Sequence, residues 1–305
     1  DIEIQGVRGV VLSEARKTGF IPKGKRVILH KNRDMTFDGI LRSGNYEFHG
    51  KQFSFSYDTF NIALPAVDSL RLKAADRRIE KNGEKSAYTM VNSTVENIQG
   101  NLFIDPPHNK SGIYTDSFPT FPKFNSQKDS YVRYNKRNKR GDAYDPQKVF
   151  FKLDPFDVDS LGTFSNAGVQ FAGTFVSGGI FSDLQESLVI MPDHSLGFQR
   201  DTEYEGEAVY GGKATFKNKI KVSNEGIMGD GDFEYLTSVT KSTDFIFYLD
   251  SMNAFAQEFK LEESLVGVEY PDVDAKNVNV HYEPEADFMK VRNTTFPMTM
   301  YNYEA

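Results

Sequence analysis

Alternation of apolar and polar residues with a period of two most constrains the fold of this chain. In residues 52–57 aromatic side chains alternate with Gln and Ser, and the pattern continues to Leu64. Similar alternating runs are residues 149–153, 213–216, 245–249 and 278–282. Successive side chains of a β-strand point to opposite faces, so each run predicts a strand. Only two short stretches, residues 70–75 and 252–256, have helical periodicity.

Glycine and proline pairs separate these runs, as turns do between short strands. The sequence therefore predicts an all-β fold with little helix. It favours repeated antiparallel or solenoid-like β units, in the form of a jelly roll, a sandwich or a β-helix.

Two motifs recur along the chain. The pattern Gly-Ile-x-x-x-Gly-polar-aromatic-Glu-aromatic occurs at residues 39–48 and again at residues 226–235. The tripeptides Asp68-Ser69-Leu70, Asp159-Ser160-Leu161 and Asp250-Ser251-Met252 are spaced by 91 residues each time. The equal spacing suggests a copied unit of about 90 residues, which is longer than ordinary solenoid repeats.

The segment from Asp105 to Pro146 interrupts the strand pattern, because it is rich in Pro and in Lys and Arg. Such segments usually lie outside strands. We therefore predict a first β region at residues 1–125, a polar and basic connecting segment at 126–147, and a second β region at 148–305. Residues 1–4 contain no initiator Met, and residues 300–305 read like an interrupted strand, so we expect a processed chain or a piece of a longer protein.

Composition narrows the classes of partner. With 36 Lys and Arg against 43 Asp and Glu, the net charge is −7, which disfavours nucleic acid as the main partner. The basic cluster at residues 136–140 is accordingly interpreted as a solvated loop. There are no cysteines, which excludes disulfides and thiolate chemistry. No stretch reaches the ~20 apolar residues of a transmembrane helix.

One group of acidic residues suggests a structural calcium ion. Asp154, Asp157 and Asp159 occur within six residues and offer carboxylate oxygens, the ligand type that calcium prefers. The segment lacks the glycine pattern of a calcium loop, and turns are commonly rich in Asp. No other cofactor is predicted.

No catalytic motif is present: the five histidines form no metal-binding pattern, and there is no nucleophile elbow or phosphate-binding loop. The sequence leaves open whether the chain has a pair of glycosidase carboxylates, because such residues are paired in space and not in sequence. Glu47 and Glu234, at equivalent positions of the repeated motif, are the candidates. Alternation places them opposite the aromatic residues, so we expect both to face solvent. No catalytic residue is therefore assigned.

Several segments resemble a known group of proteins. Residues 44–58, 171–181, 195–198, 210–213 and 280–284, with residues 300–302, are similar to the interior β-repeat region of very large, functionally uncharacterised cell-envelope proteins of Bacteroidetes. The resemblance covers most of the chain from about Asp38 onward and implies an extracytoplasmic location in the periplasm, the outer membrane or the cell surface. It also implies that both ends are cut from a longer chain.

The same resemblance gives the Asp-Ser tripeptides a second interpretation. They are similar to the O-glycosylation sequon of that phylum, which makes Ser69, Ser160 and Ser251 candidate glycan acceptors. An Asp-Ser turn after a strand would explain the tripeptides without a glycan.

Three functions are compatible with the sequence. The favoured one is a non-catalytic structural or interaction protein of the cell envelope, whose β-repeat surface binds an envelope protein or a glycan. The second is a glycan-binding module or glycan-active enzyme on a β-sandwich or β-helix, with aromatic side chains and carboxylates along a groove. The third is a lipid-transport or envelope-assembly scaffold with an apolar trough.

Overall fold

A computed structural model describes residues 1–75, 88–138, 141–162, 170–262 and 272–293, and the backbone of residues 299–300. About 60% of the chain is in strands, and the sheet pairing is mostly antiparallel. Among the described residues the only helical elements are four single 3-10 turns, at Lys23–Lys25, Lys31–Arg33, Pro107–Asn109 and Thr115–Ser117. The predicted all-β fold with little helix is confirmed.

The strands are numbered in chain order. The first half contains β1 (Ile2–Gln5), β2 (Val10–Ser13), β3 (Thr18–Pro22), β4 (Arg26–Leu29), β5 (Met35–Ser43), β6 (Tyr46–Ser56), β7 (Asn61–Ala75), β8 (Tyr88–Met90), β9 (Val95–Phe103), β10 (Lys123–Ser126), β11 (Ser130–Arg133), β12 (Phe150–Leu153) and β13 (Asp157–Val158). The second half contains β14 (Phe171–Val176), β15 (Leu184–Ile190), β16 (Leu196–Asp201), β17 (Glu207–Val209), β18 (Ala214–Ser223), β19 (Gly226–Tyr235), β20 (Ser238–Phe247), β21 (Met252–Leu261), β22 (Val273–Glu283), β23 (Phe288–Arg292) and β24 (Thr299–Met300).

The chain forms two compact units. Unit 1 comprises Asp1–Arg133, Phe151–Thr174 and Glu186–Leu196. Unit 2 comprises Tyr134–Phe150, Phe175–Gln185 and Gly197–Ala305. The predicted connecting segment at 126–147 includes strand β11, which pairs with β9 inside unit 1. The predicted division of the chain at that segment stays a prediction.

Each unit is built on a meander of long antiparallel strands. In unit 1 the neighbouring pairs are β5–β6, β6–β7 and β7–β9, with β3 and β4 on the free side of β5. In unit 2 strands β18 to β22 pair in chain order, and β23 continues the sheet beside β22. The two stretches with helical periodicity, residues 70–75 and 252–256, lie in β7 and β21 and are strands. Their apolar residues are buried in alternation, so tertiary burial overrides the weak helical pattern.

The repeated Gly-Ile motif occupies different local structures in its two copies. In residues 39–48 the central Gly44-Asn45 is the two-residue turn between β5 and β6, since Ser43 pairs with Tyr46. In residues 226–235 the whole motif lies within β19. The hairpins that correspond are β5–β6 and β18–β19, because Ser223 pairs with Gly226 across a second two-residue turn. Their turns are 180 residues apart, whereas the sequence motif repeats after 187.

Phenylalanine side chains fill both interiors. In unit 1 the Phe20 and Phe37 rings stack with centroids 3.6 Å apart, and Phe53 meets Phe37 edge-on at 5.5 Å. In unit 2 Phe216 meets the rings of Phe245 and Phe247 edge-on at 5.4 and 5.2 Å. The edge-on pairs have the geometry in which an aromatic pair adds about 0.5–1.5 kcal/mol beyond its burial.

Small residues make room for these rings. A Cβ built on a glycine would lie 2.5–2.9 Å from a phenylalanine ring carbon at four places: Gly50 under Phe53, Gly100 under Phe124, Gly173 under Phe151 and Gly229 under Phe216. The glycines therefore leave room for the rings, and at Gly50, Gly100 and Gly173 also for a backbone carbonyl oxygen that would lie 2.1–2.2 Å from the added Cβ. The spacing of the sequence motif does not reveal this role.

Candidate binding cleft

An apolar cleft with a volume of about 450 Å³ lies in unit 2. Its floor is formed by Phe259 and Leu261 of β21 and by Val273, Ala275 and Val278 of β22. Sheet register brings these residues together, since Phe259 pairs with Ala275 and Leu261 with Val273. Ligand sites commonly have volumes of about 300–1,000 Å³ and mostly apolar linings, so this cleft has the size and character of one.

Large apolar side chains flank the mouth of the cleft. Leu236, in the turn between β19 and β20, is 63% exposed, and Phe288, at the start of β23, is 50% exposed. Met289 and Val291 follow on β23 and complete the apolar wall. Two large apolar side chains held at the edge of an apolar cleft extend its surface toward solvent, as at many interaction sites.

A small group of polar atoms lies at one side of the cleft. The Tyr235 hydroxyl donates to Asp287, with 3.0 Å to the carbonyl oxygen and 3.2 Å to Oδ1. Ser238 Oγ donates to the Tyr235 carbonyl oxygen at 2.7 Å, so the Ser238 hydroxyl already has a partner within the protein. Asp287 itself is exposed, so its carboxylate is the polar group of this cleft that a ligand can reach.

Behind Tyr235 lies a second tyrosine. The rings of Tyr235 and Tyr282 are 4.7 Å apart, and Tyr282 is fully buried. Burial raises the pKa of Tyr282 to about 12, and the nearby Tyr235 and Asp287 add to the shift.

A second cleft of unit 2, with a volume of about 510 Å³, is aromatic and acidic. The rings of Tyr144 and Tyr248 stack at 6.2 Å with an interplanar angle of 25°. Asp142, Asp250 and Asn253 also line this cleft. The Tyr144 hydroxyl donates to the Phe247 carbonyl oxygen at 2.8 Å and accepts from the Ile227 N–H at 3.0 Å, so its ring is fixed in place.

Two of the three predicted calcium ligands form other contacts. Asp157 accepts a hydrogen bond from the Asn125 amide, and the Asp159 carboxylate lies 3.9 Å from Lys123 Nζ. Asp154 is exposed in the loop after β12. Within the described ranges, no group of three or more acidic or histidine side chains has a spacing that could hold a metal ion. The calcium site stays a prediction.

The three candidate glycan acceptors lie in different settings. Ser69 lies in the middle of β7, with His49 and Glu96 opposite it on the two neighbouring strands. Ser160 Oγ donates to the Pro119 carbonyl oxygen at 2.7 Å. Ser251 lies in the turn between β20 and β21, where its Oγ donates to Asp250 at 3.0 Å. The predicted turn after a strand therefore occurs at Ser251 but not at Ser69, and glycosylation stays a prediction.

The expectation that Glu47 faces solvent is wrong. Glu47 is only 7% exposed, and its carboxylate lies 3.1 Å from Arg42 Nε, 3.6 Å from His49 Nε2 and 3.8 Å from Lys73 Nζ. Glu234 is partly exposed and pairs with Lys217 Nζ at 2.8 Å. Glu47 belongs to unit 1 and Glu234 to unit 2, and cations neutralise both carboxylates.

The basic cluster at residues 136–140 is described only in part, because Lys139 and Arg140 lie outside the described residues. Residues 301–305, for which the sequence predicts an interrupted strand, also lie outside them. In the ranges that the structure covers, no helix has the length and apolar character needed to span a membrane.

No protein-family model, curated protein or solved structure matches this chain.

The apolar cleft was not predicted from the sequence. Its residues come from three separate stretches, 235–238, 259–261 and 273–291, and each stretch alone looks like ordinary strand or turn sequence. Leu236 was the one sequence signal for the cleft. It lies in a tight turn between two strands, where polar residues and glycine are usual and a leucine is not.

Proposed function

We propose that this chain is a non-catalytic binding protein of the cell envelope, and that unit 2 holds an apolar ligand in its cleft. The observation that carries the proposal is the cleft itself, with an apolar floor on β21 and β22 and with Leu236 and Phe288 exposed at its mouth. A mostly apolar pocket with a few polar groups is the usual form of a binding site.

The charged side chains also support binding without catalysis. A glycosidase needs one carboxyl group with a raised pKa and a second one close by. Glu47 is surrounded by three cationic or basic side chains, and Glu234 pairs with a lysine. Both candidate carboxylates are therefore held in ion pairs with cationic side chains.

The extracytoplasmic location, and an envelope protein or a glycan as partner, are supported by the resemblance of residues 44–58 and 171–181 to envelope proteins. The meander of long strands in each unit supplies a rigid frame for such a surface.

The cleft is tested with a hydrocarbon fluorophore. Diphenylhexatriene, which has no polar group, should bind the full chain and gain fluorescence. Leu236→Glu and Phe288→Glu should weaken that binding about tenfold or more, because each places a charge at the apolar mouth. The control is Phe255→Glu, since Phe255 is 45% exposed on β21 but does not line the cleft.

If the wild-type chain does not bind the fluorophore, or if all three variants bind it equally, the proposal is wrong. An affinity pull-down from gently solubilised envelope addresses the partner separately. Recovery of a defined set of envelope proteins that is lost with Phe288→Glu would support a protein partner at the same site.

A glycan-binding function is the alternative, and the aromatic and acidic cleft favours it. Sugars stack on aromatic rings and donate hydroxyl hydrogen bonds to carboxylates, and Tyr248, Asp142 and Asp250 supply both features there. Titration calorimetry with envelope oligosaccharides tests it. Binding that is lost in Asp142→Asn and Asp250→Asn, but kept in Phe288→Glu, would favour this function.

A lipid-transport or assembly role is a second alternative, supported by the same apolar cleft. It requires that bound lipid leave the protein again, so transfer of a fluorescent lipid between two vesicle populations is the measurement. Acceleration of transfer by the wild-type chain but not by Phe288→Glu would favour it.

A further inference from the structure

We infer that a cleft of unit 1 binds a sugar that carries a carboxylate group, such as an acidic residue of a glycan. The cleft has a volume of about 550 Å³, and the residues that line it lie between positions 23 and 52. The structure describes this stretch of chain without a gap. Ligand sites commonly have volumes of this order. The inference rests on the proposed function in that it names the chemistry of the glycan partner.

Two neighbouring strands form the floor of the cleft. Arg26 and Ile28 of β4 lie on either side of the buried Val27, so they share the outer face of the sheet. Ile28 pairs with Thr36 of β5, which places Thr36 and Asp38 on that face as well. A guanidinium, a hydroxyl and a carboxylate thus surround one partly exposed apolar side chain.

The cations of the cleft favour an anionic ligand. Lys23, at the start of the turn Lys23–Lys25, is exposed and forms no ion pair with a residue that the structure describes. Arg26 Nε lies 3.3 Å from Glu3 Oε2, but these side chains are 56% and 40% exposed, so a ligand can compete with Glu3 for the guanidinium. Lysine and arginine recognise carboxylates through charge-assisted hydrogen bonds.

The other polar groups favour a ligand that also carries hydroxyls. Asp38 is exposed at the cleft, and its Oδ1 accepts the Gln52 N–H at 2.8 Å, which holds the carboxylate in place. A carboxylate has only acceptor sites, so a ligand that lies beside Asp38 needs donors of its own. An acidic sugar supplies an anionic group for the cations and hydroxyl donors for Asp38. A purely apolar ligand would instead remove the hydration of these charged groups without replacing it.

The inference is tested by titrating the full chain with four small ligands and following its backbone amide signals by nuclear magnetic resonance. The ligands are methyl glucuronide, methyl glucoside, cyclohexanecarboxylate and glucose 6-phosphate. We expect the glucuronide to bind about threefold to tenfold more tightly than each of the others, as for one exposed hydrogen bond to a charged group. The glucoside lacks the charge, cyclohexanecarboxylate lacks the hydroxyls, and the second negative charge of the phosphate is repelled by Asp38. The signals that shift should belong to residues 23–52.

Two lysine variants locate the site. Lys23→Gln should weaken binding of the glucuronide about threefold or more and leave the glucoside unaffected. Lys31→Gln is the matched control and should change neither affinity. Lys31 is also an exposed lysine at the start of a 3-10 turn of unit 1, but it does not line the cleft.

Each part of the inference can fail separately. Equal affinities for the glucuronide and the glucoside, or equal binding by the two lysine variants, would overturn recognition of a carboxylate at this cleft. Equal affinity for cyclohexanecarboxylate would overturn recognition of a sugar, and equal or tighter binding of glucose 6-phosphate would assign the cleft to phosphate instead. Diphenylhexatriene tests the cleft of unit 2, so failure of the proposed function there is distinguishable from failure of this inference.

Discussion

Arg16 and Asp105 form a two-point ion pair inside unit 1, with Nε 2.8 Å from Oδ2 and the terminal Nη2 2.9 Å from Oδ1. Arg16 is 8% exposed and Asp105 is 1% exposed. The guanidinium also donates to the carbonyl oxygens of Thr115, Phe118 and Phe121 at 3.1–3.2 Å. One arginine from the turn between β2 and β3 thus satisfies backbone acceptors of the long segment after β9.

Removing Arg16 should be strongly destabilising. Arg16→Ala leaves the Asp105 carboxylate buried without its cation, and loss of one partner of a buried pair costs about 3–5 kcal/mol. The measurement is the urea dependence of unfolding. The control is Arg26→Ala. Arg26 Nε lies 3.3 Å from Glu3 Oε2 and both side chains are exposed. This variant should lose only about 0–1 kcal/mol of unfolding free energy.

A double variant separates the ion pair from the carbonyl contacts. Arg16→Leu with Asp105→Leu removes both charges, but three carbonyl oxygens still lose their donor and the Asn109 amide loses its acceptor, Asp105 Oδ2. It should therefore remain less stable than wild type by about 1–3 kcal/mol. Full recovery of stability in the double variant would contradict a stabilising role of these carbonyl and amide contacts.

Glu47 and Glu234 should respond differently to neutralisation. Glu47→Gln leaves Arg42, His49 and Lys73 around a buried amide and should cost about 1–3 kcal/mol of unfolding free energy. Glu234→Gln removes a partly exposed pair with Lys217 and should cost about 0–1 kcal/mol. Equal costs in chemical denaturation would show that the burial of Glu47 has no energetic consequence.

Gly229→Ala should destabilise unit 2. The added Cβ would lie 2.5 Å from Phe216 Cζ and 3.0 Å from Phe247 Cε2, so two packed rings must move. Overpacking of this kind costs about 1–3 kcal/mol. Gly162→Ala is the control, because its added Cβ meets no atom within 4 Å. Thermal unfolding of both variants checks the prediction, and an unchanged midpoint for Gly229→Ala would contradict it.

Stability should fall in strong alkali. Burial raises the pKa of Tyr282 to about 12 and raises those of Tyr46, Tyr144 and Tyr210 as well. Between the ordinary tyrosine pKa of about 10 and about 12, the folded chain keeps protons that the unfolded chain has lost. The contribution of Tyr282 is therefore complete below pH 10 and is lost as the pH rises through that window, and the contribution of the other three tyrosines continues to be lost above it.

Tyr282→Phe should reduce this alkaline loss, whereas Tyr204→Phe, at a residue that is 94% exposed, should not. Spectrophotometric titration of the tyrosinate absorbance, combined with urea unfolding at several pH values, measures both effects. Ionisation of all 15 tyrosines as one class near pH 10 would refute the prediction.

The sequence by itself determined the strands. The alternation in residues 52–57 follows from the pleat of a single strand, whose side chains point to opposite faces in turn. In β6 the aromatic residues Phe53 and Phe55 are buried, while Gln52 and Ser54 are exposed. That relation is local, so it needs no knowledge of the neighbouring strands. The all-β fold follows from it.

Tertiary structure alone decided the setting of Glu47 and the cleft. Alternation placed Glu47 opposite the aromatic residues, but cations from β5 and β7 gather around it only after those strands pair with β6. The cleft likewise requires Tyr235, Phe259 and Asp287 to meet, and sheet register, not sequence distance, brings them together. Register depends on the simultaneous packing of many strands, which no single stretch of sequence encodes.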